Sequence, residues 1–233
     1  MKKVITQIYG IRTVEDAVGV VALGADHIGV SYGKTKGTPG QLSCEEAKEI
    51  FDKVQSHAVR VGLTVSEDID VITRDLLLTM PQVLHLSGDI EGITPEEVAV
   101  LRGRFPGLKI MQAIPVLQGV PKEEQKAFEY IKLYEGVSDF FLIDTKAKGA
   151  LDIGATGLTH DWEIDRELVN STKVPCIIAG GLDAANVTAA VETARPYGAD
   201  SFSLTNLKVP GRKGIKDMNK VKAFIEAVRK ARI

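Results

Sequence analysis

Residues 174–187 read Val-Pro-Cys-Ile-Ile-Ala-Gly-Gly-Leu-Asp-Ala-Ala-Asn-Val. A short run rich in β-branched residues, 174–179, stops at Gly180-Gly181 and gives way to a helical pattern over 186–194. An apolar run of that length fits a strand buried on both faces, as in a parallel sheet, and a glycine turn passing it to a helix makes half of a βαβ unit. Outward from this stretch the same unit recurs to both termini. Strand-like runs occupy 4–8, 27–31, 58–65, 82–86, 108–114, 139–143, 174–179 and 200–204. Between them, apolar residues at i, i+3, i+4 and i+7 mark helices over 14–23, 45–54, 95–102, 122–134 and 186–194. Thr13 with Asp16, Ser43 with Glu46 and Thr94 with Glu97 place a hydroxyl three residues before a carboxylate, as in capping boxes, and Pro95 occupies a first helical position. Eight such units in 233 residues predict an α/β fold, a (β/α)8 TIM barrel forming a single domain over 1–233. That barrel typically takes about 250 residues. An open doubly wound sheet is the alternative.

Composition narrows the partners. Lys and Arg number 29 against 31 Asp and Glu, so the chain lacks the basic excess that nucleic acid or an acidic membrane surface selects, and neither is an expected partner. Lys2 and Lys3 precede an apolar stretch that Thr6 and Gln7 interrupt, which does not read as a secretory signal. No run approaches the ~18 apolar residues of a membrane span. Cys44 and Cys176 lie far apart without CxxC spacing, which fits a reducing, cytoplasmic setting. No His, Asp, Glu or Cys cluster has metal-ligand spacing, so neither a metal nor another cofactor is expected. A monomer or a homodimer is compatible with the sequence.

In a barrel of this kind chemistry sits on the loops after the strands. That filter selects Tyr9, Gly10 and Arg12, then 31–40, Ser87 to Asp89, 144–162, Gly180 with Gly181, and 205–214. Asp144 follows the run Phe140-Phe141-Leu142-Ile143, where partial desolvation would raise its pKa and fit it for general acid work; capping the loop or pairing with Lys146 is the alternative. Gly180-Gly181 offers backbone N–H groups to a phosphate, or is simply a tight turn. Lys208, Arg212 and Lys213 are cations that could reach the same phosphate or face solvent. The long loop 149–159, with Gly154-Ala155-Thr156-Gly157, has the length of a lid. Tyr9 projects a phenol, a poor base at neutral pH, into the mouth or packs as an aromatic cover, while His27 and His85 read as hydrogen-bonded structural residues.

Several of these segments together resemble the phosphoribosylanthranilate isomerase family. They are Gly10-Ile11-Arg12-Thr13-Val14-Glu15-Asp16-Ala17 with Gly24-Ala25-Asp26, Ile143-Asp144-Thr145-Lys146, and Gly154-Ala155-Thr156-Gly157 running to Asp161-Trp162. Ala179-Gly180-Gly181-Leu182 with Asn186-Val187, and Pro210-Gly211 with Lys216-Asp217, complete the match over nearly the whole chain. The resemblance implies a barrel catalysing an Amadori rearrangement, in which an acid protonates the furanose ring oxygen and a base removes the C2′ proton. It implies that Asp144 is the acid and that Gly180 and Gly181 hold the substrate phosphate, with Ser203 and Thr205 as further phosphate contacts. Arg12, His85, Ser87, Asp89, Thr156 and Gly157 are the remaining substrate-contact candidates.

The chain departs from the family at ligand-facing positions. Gln7-Ile8-Tyr9-Gly10 stands where the family has K-I-C-G, so the basic cysteine is a tyrosine. Gly40-Gln41-Leu42-Ser43 replaces R-Y-[IV]-S and its carboxylate-binding arginine. His85-Leu86-Ser87-Gly88-Asp89 replaces Q-L-H-G-[DE], and Phe202-Ser203-Leu204-Thr205-Asn206 replaces S-S-G-V-E. These departures favour an isomerase or epimerase of a different small sugar or sugar phosphate, with Asp144 as acid and Tyr9, His85 or Asp89 as candidate base. A genuine phosphoribosylanthranilate isomerase with a rebuilt base and a non-catalytic sugar-phosphate-binding barrel are the alternatives.

Overall fold

The computed structural model describes residues 3–33, 41–146, 159–207 and 214–233. Eight parallel strands close into one barrel in chain order, β1 (Ile5–Ile8), β2 (His27–Ser31), β3 (Val59–Thr64), β4 (Val83–Leu86), β5 (Lys109–Leu117), β6 (Phe140–Lys146), β7 (Cys176–Ile178) and β8 (Gly198–Ser201). β8 pairs back onto β1 with Asp200 opposite Gln7. Helices α1 (Val14–Ala22), α2 (Cys44–Val54), α3 (Ile69–Thr79), α4 (Pro95–Arg104), α5 (Ala127–Tyr134), α6 (Trp162–Asn170), α7 (Val187–Ala194) and α8 (Met218–Lys230) surround it.

The strand residues alternate between two buried surfaces. Ile8, Ile28 and Val30 point outward onto Ala17, Val20 and Phe224 of the helical ring, and Leu84, Ile110 and Ile114 meet Leu76, Leu101 and Ile131 across the barrel. Ile5, Val61, Val83, Met111, Phe140, Leu142 and Ile177 fill the inside. Strands buried on both faces explain why the runs read as nearly continuous apolar segments.

Some details differ from the sequence reading. The eighth strand lies at Gly198–Ser201 instead of 200–204, and Ser203–Thr205 forms a 3-10 turn beyond it. The helix expected over 122–134 divides into a 3-10 turn, Lys122–Glu124, and α5, because Gln125 turns its amide onto the Leu117 and Val120 carbonyls. Ser43 with Glu46 and Thr94 with Glu97 form reciprocal capping boxes, whereas at Thr13 only the hydroxyl half is made. The Asp16 carboxylate instead accepts from the Lys216 N–H at 3.2 Å, tying α1 to the segment before α8. Among the described residues no helix is long and apolar enough to cross a membrane.

Candidate active site

The upper interior of the barrel, at the C-terminal ends of the strands, is polar. Tyr9 stands at the end of β1 with its ring over Gly29, where a Cβ would fall inside the ring's van der Waals surface. Its hydroxyl lies 2.7 Å from His85 Nδ1 on β4. Burial holds the His85 pKa down to about 3, so the ring is neutral. A neutral imidazole that accepts at Nδ1 carries its proton on Nε2, and that atom is buried without a partner. The Tyr9 phenol is pushed above its usual range, first by burial and then by the charges of Asp200, Tyr32 and Asp144. It therefore keeps its proton. Tyr9 and His85 are thus each other's hydrogen-bond partner, the phenol held protonated and the imidazole held neutral. Gly29→Ala is expected to cost about 1–3 kcal/mol by overpacking against this ring. Urea denaturation in a Tyr9→Cys background should show the cost vanish, because the ring is gone.

Asp144 lies within β6 rather than beyond it, partly buried, its Oδ1 accepting from the Thr145 N–H at 2.7 Å. Burial raises its pKa to about 6, against the Thr145 N–H and the nearby His160, with Asp165 adding to the rise. Next to it runs a buried relay: Thr145 Oγ1 is 2.7 Å from His160 Nδ1, and His160 Nε2 is 2.5 Å from Asp165 Oδ1 on α6. Gly180 and Gly181 follow β7 with φ of 88° and 59°, and a Cβ at Gly180 would collide with Thr145 Oγ1. The glycine turn is thus required by close packing on β6 and by left-handed backbone. Asn186 closes it by donating to the Gly181 carbonyl and accepting from the Asp183 N–H.

The other expected contacts scatter. Arg12 packs its side chain against the position of Gly214, joining the loop after β1 to the segment before α8. Ser87 lies after β4 with its N–H bound to the Thr64 carbonyl. Asp89 is exposed, and its carboxylate accepts from the Glu91 N–H instead of facing the mouth. Thr205, expected at a phosphate, is buried with its hydroxyl committed: it donates to the Phe202 carbonyl and accepts from Lys216 Nζ at 3.1 Å. Ser203 stays in the turn above it. Thr156, Gly157, the loop 149–159 up to residue 158, and Lys208, Arg212 and Lys213 lie outside the described residues.

Two groups that sequence reasoning passed over join the mouth. Asp200 on β8 is 5% exposed and its Oδ1 has no partner. Its pKa is raised by burial and by Asp144, while Gln7 and Lys216 oppose the rise. Lys216 is 3% exposed, lies 5.4 Å from the Phe202 ring centroid, and donates to the Phe202 carbonyl at 2.9 Å. Burial lowers its pKa to about 7 against the pull of Asp200 and Asp16. For Asp200 the detectable signal was a charged residue inside a strand whose neighbours bury both faces.

The family model described as N-(5'-phosphoribosyl)anthranilate (PRA) isomerase matches residues 6–227. The chain belongs to the phosphoribosylanthranilate isomerase family. It is 34% identical over 233 residues to the N-(5'-phosphoribosyl)anthranilate isomerase of Beijerinckia indica, covering 99% of this chain and 96% of the relative. It is also 34% identical over 228 residues to that of Methanocella arvoryzae, covering 96% and 97%. Among solved structures, phosphoribosyl anthranilate isomerase from Thermotoga maritima superposes with a TM-score of 0.75 at 26% identity, covering 97% of this chain and 98% of that one. The Pyrococcus furiosus enzyme, at 23% identity and a TM-score of 0.76 over 97% and 98% of the two chains, shows the shared barrel. Membership of this isomerase family makes isomerisation the supported class of chemistry.

Proposed function

We propose that this chain catalyses the Amadori rearrangement of N-(5'-phosphoribosyl)anthranilate to the corresponding 1-amino-1-deoxyribulose 5-phosphate, a step of tryptophan biosynthesis. Full-length identity of 34% to isomerases carrying that name favours this over an unrelated sugar substrate. The observation that carries the reading is Asp144: a carboxyl in the barrel mouth, at the family's acid position, with a pKa of about 6. A carboxyl so placed still holds a proton near neutrality and can pass it to the furanose ring oxygen as the ring opens to the imine. The Gly180-Gly181 turn supplies the phosphate end of the site.

Tyr9 works by shape in this reading, holding His85 and flooring the mouth above Gly29. Tyr9→Phe is then expected to cost about 1–2 kcal/mol in urea denaturation, because His85 Nδ1 loses its buried partner. It should lower kcat less than tenfold. A hundredfold loss would return the phenol to the chemistry. The reading as a whole is tested by following the fluorescence of phosphoribosylanthranilate generated in situ. Turnover by the unmodified chain supports it, and none at any pH from 5 to 9 overturns it.

A further inference from the structure

We propose that Asp200 is the general base of this enzyme, taking over from β8 the task that the family gives to a cysteine on β1. The inference rests on the Amadori reading above. Tyr9 and His85 are engaged with each other at 2.7 Å, the phenol held protonated by burial. Asp89 is exposed and engaged with the Glu91 N–H. Lys216 is committed to the Phe202 carbonyl and the Thr205 hydroxyl beneath the 3-10 turn. Among the described residues Asp200 is what remains: a buried carboxylate with one oxygen lacking any donor, on the strand that pairs with β1.

The surroundings suit a base. Asp200 faces Gln7 and Tyr9 from β1, Asp144 from β6 and Lys216 from the segment before α8. Burial and the charge of Asp144 hold the Asp200 pKa well above the usual carboxylate range, so the two carboxyls lose their protons in separate steps and share one proton in between, an acid and a base side by side. Desolvation makes such a carboxylate a stronger base than one in water.

The step balances on these two groups alone. Asp144 gives its proton to the ring oxygen as the C1′–O bond breaks and the nitrogen lone pair forms the iminium. Asp200 Oδ1 then takes the C2′ proton; the C–H electron pair becomes the C1′=C2′ bond and the iminium π pair returns to nitrogen. Asp200 next delivers that proton to C1′ while the enol hydroxyl proton passes to Asp144. The product ketone leaves, Asp144 is again protonated and Asp200 ionised, and no oxidant or reductant has been used.

The experiment compares kcat and its pH dependence for the unmodified chain, Asp200→Asn, Asp200→Glu and Asp200→Asn with Tyr9→Cys, all on phosphoribosylanthranilate generated in situ. Asp200→Asn should lose about 10²- to 10⁴-fold in kcat with native circular dichroism, and Asp200→Glu should lose less. The double variant should regain at least about tenfold, its ascending limb moved towards the thiol range near 8.5, because a thiolate again stands at β1. Asp200→Asn within tenfold of the parent overturns the assignment, as does a double variant no faster than the single. Should Asp200→Asn fail to fold, the unmodified chain decides: a two-limbed profile upholds the shared-proton pair and a single descending limb overturns it. No turnover by the unmodified chain would sink the Amadori reading and this base with it, whereas turnover that survives Asp200→Asn sinks the base alone.

Discussion

Asp144→Asn is expected to abolish most turnover while leaving the protein more stable than its parent above pH 6. The amide keeps an oxygen to accept the Thr145 N–H, so the local geometry survives and only the transferable proton is lost. A positioned acid contributes about 10²–10⁴ in rate, and kcat/KM should fall by that factor. The stability gain follows from the sign of the pKa shift. Burial raises the folded-state pKa of Asp144 from 3.8 to about 6, so the folded protein binds this proton more tightly than the unfolded chain does. The stabilisation from that proton is fully present below about pH 4 and is lost as pH rises through 6. At pH 7 the ionised carboxylate costs the fold about 2–3 kcal/mol relative to an unshifted one, and asparagine removes that cost. Urea denaturation at pH 4 and pH 7 checks it: the variant should match or trail its parent at pH 4 and exceed it at pH 7. An Asn variant with parental kcat/KM would remove Asp144 from the mechanism.

The largest stability loss is expected at His160. Its side chain is 1% exposed and that of Asp165 is 0% exposed, and each is the other's charged partner. His160→Ala strands the Asp165 carboxylate, whose second oxygen already lacks a donor, and removes the partner of Thr145 Oγ1. Breaking a buried pair from one side typically costs about 3–5 kcal/mol. Replacing both partners together, His160→Phe with Asp165→Leu, should recover most of it, because no charge is then left buried. Burial works to lower the His160 pKa, but the hydrogen bond and charge of Asp165 outweigh it and the pKa is raised. The pair's contribution is therefore fully present below the unfolded value of about 6.5 and fades as pH rises through the raised one. The loss in His160→Ala should be larger at pH 6 than at pH 9. A loss that does not change with pH would mean that the pair is held as neutral groups.

These tests probe different depths of what the sequence carries. The barrel was legible because each strand and each capped helix writes its own local signature. The runs at 27–31 and 82–86, for example, became strands with those bounds or within one residue of them. The place of Asp144 near the C-terminal end of the sixth strand was legible as well, although the strand runs past it to Lys146. The base was not. Tyr9, His85 and Asp89 each stand after or within a strand as a base might, yet a 2.7 Å hydrogen bond occupies the first two and the third turns to Glu91. A one-dimensional reading does not count donors against acceptors.

Periodicity, caps and glycine turns are interactions between residues a few positions apart, and the sequence by itself determined them: eight β/α units and the strand ends on which chemistry could sit. The polar interior is different in kind. Gln7, Asp144, Asp200 and Lys216 come from β1, β6, β8 and the segment before α8, and His160 finds Asp165 only because α6 packs behind β6. Their ionisation depends on burial and on charges brought close by barrel closure, and both of these exist only once the chain has folded. Which carboxyl holds the proton was therefore decided by the tertiary structure.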